Sequence, residues 1–133
     1  MKTTPFLQSF LFATVFCAAL PALAQPYPSR PLEIVVHTGP GAGNDRVARI
    51  FVDIVQREKL VNQPLTVVNK VGGLGTVAFN YMKSKRGDPH VILSGVGSTL
   101  VAATLRPEFD VHLNQFTPLA MLARDPQAVT SRR

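Results

Sequence analysis

Cysteine is nearly missing from this chain of 133 residues: Cys17 stands alone, so no internal disulfide can form. Long apolar runs are missing too. The run at residues 10–20 falls short of the roughly 20 residues a membrane-spanning helix needs. It follows the charged Lys2 and precedes Ala22-Leu23-Ala24, a small-x-small cleavage site. Residues 1–24 therefore read as a secretory signal peptide cleaved after Ala24. What remains, residues 25–133, is cysteine-free and of a length that buries one modest core. Export without disulfides points to a bacterial periplasm rather than to a small stapled extracellular domain.

Several chemistries lack their signatures. No G-x-x-x-x-G-K-[ST] loop occurs. Gly73-Leu74-Gly75-Thr76-Val77-Ala78 fits the looser G-x-G-x-x-A form, yet the acidic residue expected about 20 positions on is absent and Asp88 comes too early. His37, His90 and His112 share no metal-ligand spacing. Neither Ser94 nor Ser98 lies in a G-x-S-x-G elbow. Acidic residues are few, with 8 Asp+Glu against 14 Lys+Arg and a formal net charge of +6. The basic residues are scattered apart from Lys83, Lys85 and Arg86, and form no stripe interleaved with aromatics, so nucleic acid is not an expected partner. The balance suits attraction of small anions. No cofactor and no metal is expected.

What is present is an alternation of two periods. Leu32-Glu33-Ile34-Val35-Val36 reads as a strand. From Asn44 or Asp45 onward Val47, Ile50, Phe51, Ile54 and Val55 fall on one helical face, with Arg49–Asp53 and Asp53–Arg57 at i,i+4 spacing. Leu65-Thr66-Val67-Val68-Asn69 is a second strand. Leu74, Val77, Ala78, Tyr81 and Met82 mark a second helix, and His90-Val91-Ile92-Leu93-Ser94 a third strand. A short apolar helix spans residues 100–105, and residues 116–124 are expected to form a fourth strand. This order predicts an α/β fold: an open, mostly parallel sheet with crossover helices.

Three glycine-rich loops then fall at the carboxyl ends of the strands, where such sheets bind ligands. The first, His37-Thr38-Gly39-Pro40-Gly41-Ala42-Gly43-Asn44-Asp45, opens the first helix. A helix N-terminus offers unpaired N–H groups and the positive end of the dipole, which suits a phosphate or a carboxylate. Asn44 can donate from its amide. Asp45 can cap the helix or accept from a ligand, and His37 ends its strand at the mouth of the loop.

With Tyr27-Pro28-Ser29-Arg30-Pro31 before the first strand, the segment Gly39-Pro40-Gly41-Ala42-Gly43-Asn44-Asp45-Arg46-Val47-Ala48-Arg49 resembles the periplasmic substrate-binding proteins of tripartite tricarboxylate transporters. Asn69-Lys70-Val71-Gly72-Gly73-Leu74-Gly75, Gly87-Asp88-Pro89 and Phe116-Thr117-Pro118-Leu119-Ala120 resemble that family's later units, in the same order. Family members often carry Pro, Gly and Thr where His37, Ala42 and Asn44 stand here. The resemblance implies a two-lobed periplasmic receptor, not an enzyme, that captures a small carboxylate and delivers it to a membrane permease. It implies ligand contacts at Thr38, Gly41, Ala42, Gly43, Asn44 and Asp45, with Gly73, Ser94 and Ser98 from the other loops. Members are longer, so it also implies that residues 25–133 are a partial N-terminal lobe of a truncated, marginally stable chain with an open sheet edge. The alternative from another class is a small exported α/β enzyme acting on an anion, with Asp45 or His37 as base. A fragment that pairs with a partner through its open edge is a third reading.

Overall fold

In the computed structural model, whose described residues are 26–124, the β-branched run after the prolines forms β1 (Leu32–Val36). It is the middle strand of a fully parallel sheet of order β2-β1-β3, with β2 at Leu65–Asn69 and β3 at Val91–Ser94. Parallel neighbours require crossovers. These are α1 (Gly43–Arg57) and α2 (Thr76–Ser84), and α3 (Gly97–Thr104) follows β3. The expected open parallel α/β architecture is the one observed. The signal-peptide segment lies outside the described residues.

Alternation along β1 divides the core. Leu32, Ile34 and Val36 point to one face, where Ala48 and Val55 of α1 and Leu65 of β2 close a buried cluster. Val35 points to the other face and meets Val91 and Ala78, with Tyr81 and Met82 beside them. The two crossover helices therefore cover opposite faces of the sheet. A third cluster, Phe79, Ala103 and Val111, joins α2 to α3 and the chain after it, with Phe109 and Phe116 packed around it.

The buried face of α1 is not the one its apolar spacing predicts. Val47, Ile50 and Ile54 are exposed, whereas Asp45, Ala48 and Val55 are buried and Phe51 and Val52 half-buried. Asp45 shares a helical face with Ala48, Val52 and Val55. Its hydrogen bonds to the strand ends set the rotation of the helix, which counting apolar residues cannot reveal. The expected Arg49–Asp53 pair is replaced for the same reason, because Arg49 reaches back to Asp45. Arg57 does pair with Asp53, on the exposed side where such a contact adds little. In α2 the buried pair is Ala78 and Phe79, while Val77, and Leu74 in the turn before the helix, are exposed.

Residues 116–124 form no strand. A 3-10 turn at Leu113–Gln115 precedes an irregular, mostly exposed segment. Phe116 turns its ring onto Phe79, with centroids 5.9 Å apart and an edge-to-face tilt of 64°. Pro118 has no N–H to offer a ladder, which argues against a strand there.

Gly75 is the tightest point between α2 and α3. It is buried with φ of 92°, and a Cβ there would lie 3.0 Å from Cε2 of Phe79 and 3.3 Å from Cγ2 of Thr99. Both the backbone and the packing therefore demand glycine. Gly75→Ala is expected to cost about 1–3 kcal/mol, seen as a lower urea midpoint with an unchanged slope.

Candidate functional site

The register builds the site. Val36, the last residue of β1, is flanked by Asn69 at the end of β2 and Ser94 at the end of β3. All three lie at one level across the sheet, on the side that α1 covers. The N-terminus of α1 sits above this row and is tied to it at both ends. On one side Asn44 donates from Nδ2 to the Ser94 carbonyl at 2.7 Å, and the Ser94 hydroxyl donates to Asn44 Oδ1 at 3.2 Å. On the other, Asn69 donates from Nδ2 to Asp45 Oδ1 and to the Thr38 carbonyl, both at 2.8 Å. Strands β1 and β3 lead into connections on opposite sides, so the row marks a switch point of the sheet, where open α/β sheets hold ligands.

Asp45 is 1% exposed. Besides Asn69 it accepts from the Gly41 N–H at 2.8 Å and from Arg49 Nε at 2.9 Å. These bonds, that of Arg49 foremost, hold its carboxyl well below the usual carboxylate range. The carboxylate thus holds the loop folded back over the sheet, a structural role for the side chain. Asn44 is tied within the protein in a similar way: its Nδ2 donates to the Ser94 carbonyl and lies 3.3 Å from Nδ1 of His37. His37 is buried, its ring stacked 6.4 Å from that of Phe79, and burial pushes its imidazole below its ordinary value.

What stays open is backbone. The cap residue of α1 is Ala42, which has no side-chain oxygen to satisfy the helix end, and no described side chain caps it. The first intrahelical bond is from Arg46 N–H to the Ala42 carbonyl, so the N–H groups of Gly43, Asn44 and Asp45 have no intrahelical acceptor. A Cβ built on Gly39, Gly41 or Gly43 would meet nothing within 4 Å. Three amide donors without a described acceptor therefore stand at the positive end of a 15-residue helix, beside glycines with room around them. Thr38 lies in the same loop, and its Oγ1 is buried without a partner among the described residues.

The other expected residues are less central. Gly73, itself exposed, opens the 3-10 turn Gly73–Gly75 on the second loop. Ser98 is exposed in the first turn of α3. Sequence reasoning missed Asn69 and Arg49. A polar residue ending an apolar strand, and a base four positions after the loop acid, were the available signals. A separate open groove of about 350 Å³, lined by Arg30, Pro31, Leu32, Glu33, Thr66 and Val68, lies towards the other end of the strands and gathers no such donors. Among the described residues no helix is long and apolar enough to cross a membrane, and no group of three His, Cys, Asp or Glu could hold a metal ion.

Curated relatives align with most of this chain. It is 26% identical to Protein BugT of Bordetella pertussis over 119 residues, 87% of this chain and 36% of that protein. It is 34% identical to a UPF0065 protein of Bordetella bronchiseptica over 100 residues, 74% of this chain and 29% of the relative. It is 28% identical to a UPF0065 protein of Bordetella pertussis over 133 residues, 99% of this chain and 41% of the relative. No family model and no solved structure matches the chain. The chain thus spans between about three tenths and two fifths of the length of these relatives.

Proposed function

We propose that this chain is part of the N-terminal lobe of a periplasmic solute-binding receptor that takes a small carboxylate at the N-terminus of α1. In the whole receptor the ligand passes to the membrane permease of a tripartite tricarboxylate-type transporter. The observation that carries this reading is the uncapped start of α1, whose free amides stand over the row Asn69, Val36 and Ser94. An anion there completes the helix end as a capping side chain does elsewhere. Carboxylate is favoured over phosphate because the nucleotide fingerprints fail and because the loop order resembles the carboxylate receptors. The relatives support it by aligning with 74% to 99% of this chain rather than with one motif.

Binding is favoured over catalysis by the state of the two titratable groups. A buried carboxylate already accepting from three donors is a poor proton acceptor, and His37 is walled in against Phe79. The test is a thermal shift series with succinate, citrate, glutamate and inorganic phosphate. A ligand that binds only the folded form adds about 2.7 kcal/mol at 100 times its Kd, so one carboxylate is expected to raise the melting temperature by several degrees. A shift with phosphate alone, or turnover of any carboxylate, overturns the reading.

A further inference from the structure

We propose that Asn69 is the positioning residue of this site, the brace through which the end of β2 sets where the amides of the first loop stand. The inference rests on the anion reading of that loop, and it adds a residue that touches no ligand. One carboxamide group makes two bonds to two parts of the loop. Its Nδ2 hydrogens go to the Thr38 carbonyl, where the loop leaves β1, and to Asp45 Oδ1, where the loop enters α1. Its Oδ1 faces Arg49 Nη2 at 3.4 Å. The span between Thr38 and Asp45 holds Gly41, whose N–H is pinned to the other oxygen of the same carboxylate. Gly41, Arg49 and Asn69 thus converge on Asp45, and among the described residues Asn69 alone ties that network to Thr38 and to β2.

The other tie of the helix end, Asn44 to Ser94, leaves the middle of the loop untouched. Glycines at 39, 41 and 43 give that span no stiffness of its own. Donors act best on an anion when they are held in place before it arrives. Removing the Asn69 amide frees the Thr38 carbonyl and one oxygen of Asp45, and the loop amides lose their common frame. The core faces of β1 are unaffected, since Asn69 lies outside the apolar clusters.

Asn69→Leu keeps the approximate shape and deletes the amide; Asn69→Ala, which adds no apolar bulk, serves if the first variant does not fold. Succinate is the probe, titrated by calorimetry, and amide hydrogen exchange is read at Gly41 and at Val35 in the core. The expected result is a weakening of succinate binding by tenfold or more, with exchange at Gly41 at least tenfold faster and exchange at Val35 unchanged. Thr66→Ala, on the exposed side of the same strand, is expected to change none of these. Unchanged exchange at Gly41 overturns the proposal, and so does faster exchange with succinate affinity intact. A wild-type chain that binds no succinate counts against the anion reading separately. Exchange then still decides the brace: acceleration confined to residues 38–45 supports it and its absence overturns it.

Discussion

Phe79→Ala is expected to be the most damaging single core substitution, removing about 3–5 kcal/mol of stability. The ring is 1% exposed and sits where three parts of the molecule meet. It packs with Ala103 of α3 and Val111, meets Phe116 edge-on, and stacks under His37 at the end of β1. An alanine there leaves a cavity that α3 cannot close without pulling away from Gly75. Natural domains hold only about 5–15 kcal/mol in total, so the variant is expected to lose most of its cooperative unfolding transition at 25 °C. Urea denaturation followed by circular dichroism measures this. Phe79→Leu, which keeps much of the volume, is expected to recover over half of the loss. A destabilisation below about 1 kcal/mol in the alanine variant would mean that Phe79 does not organise this core.

The second large effect is expected at Asp45, and it depends on pH. Its carboxyl is depressed in the folded chain by the hydrogen bonds from Arg49, Asn69 and Gly41. A depressed carboxyl contributes stability that is complete above its unfolded value, near 3.9. That contribution drains away as the pH falls from there towards the folded value. Asp45→Asn keeps the shape but turns an NH₂ towards groups that are themselves donors. The variant is therefore expected to be clearly less stable than the wild type at pH 6, with the gap narrowing steadily between pH 4 and pH 2.5.

Other groups shape the wild-type acid limb without closing that gap. Asp88 is held down by the backbone N–H of His90 and by Arg30, and Asp110 by Lys83, in both chains alike. Buried His37 resists protonation, so stability declines as the pH drops through its unfolded value of about 6.5. Urea midpoints at pH 6, 4 and 2.5 give the comparison. A gap that stays constant with pH would show that the Asp45 charge plays no part in holding the loop.

Much of the architecture was legible from period and punctuation. Strand β1 falls on residues 32–36 as expected, β2 on 65–69, and α1 begins at Gly43, one or two residues before the expected start at Asn44 or Asp45. His90 was expected inside the third strand but stands just before it, buried, where its Nε2 accepts the Ser29 N–H. The glycine loops were placed at the carboxyl ends of the strands, and parallel pairing puts them there. The fourth strand was not legible correctly. The ring of Phe116 packs edge-on against Phe79, a contact distant in sequence that local period does not reveal.

By itself, then, the sequence determined the order of elements through the helix after β3, the parallel sheet and the position of the first loop, because these follow from local period, β-branching and glycine. Only the tertiary structure decided which side chains of that loop find partners within the protein. Asn44 and Asp45 look like ligand groups in one dimension. The register brings Ser94 and Asn69 beneath them, and hydrogen bonds to those neighbours satisfy both side chains. A buried polar group takes the nearest partner it can reach, because leaving it unpaired is costly. Which partner is nearest is set by strand register between residues 24 and 50 positions apart. The N–H groups of Gly43, Asn44 and Asp45 at the start of α1 have no such partner among the described residues.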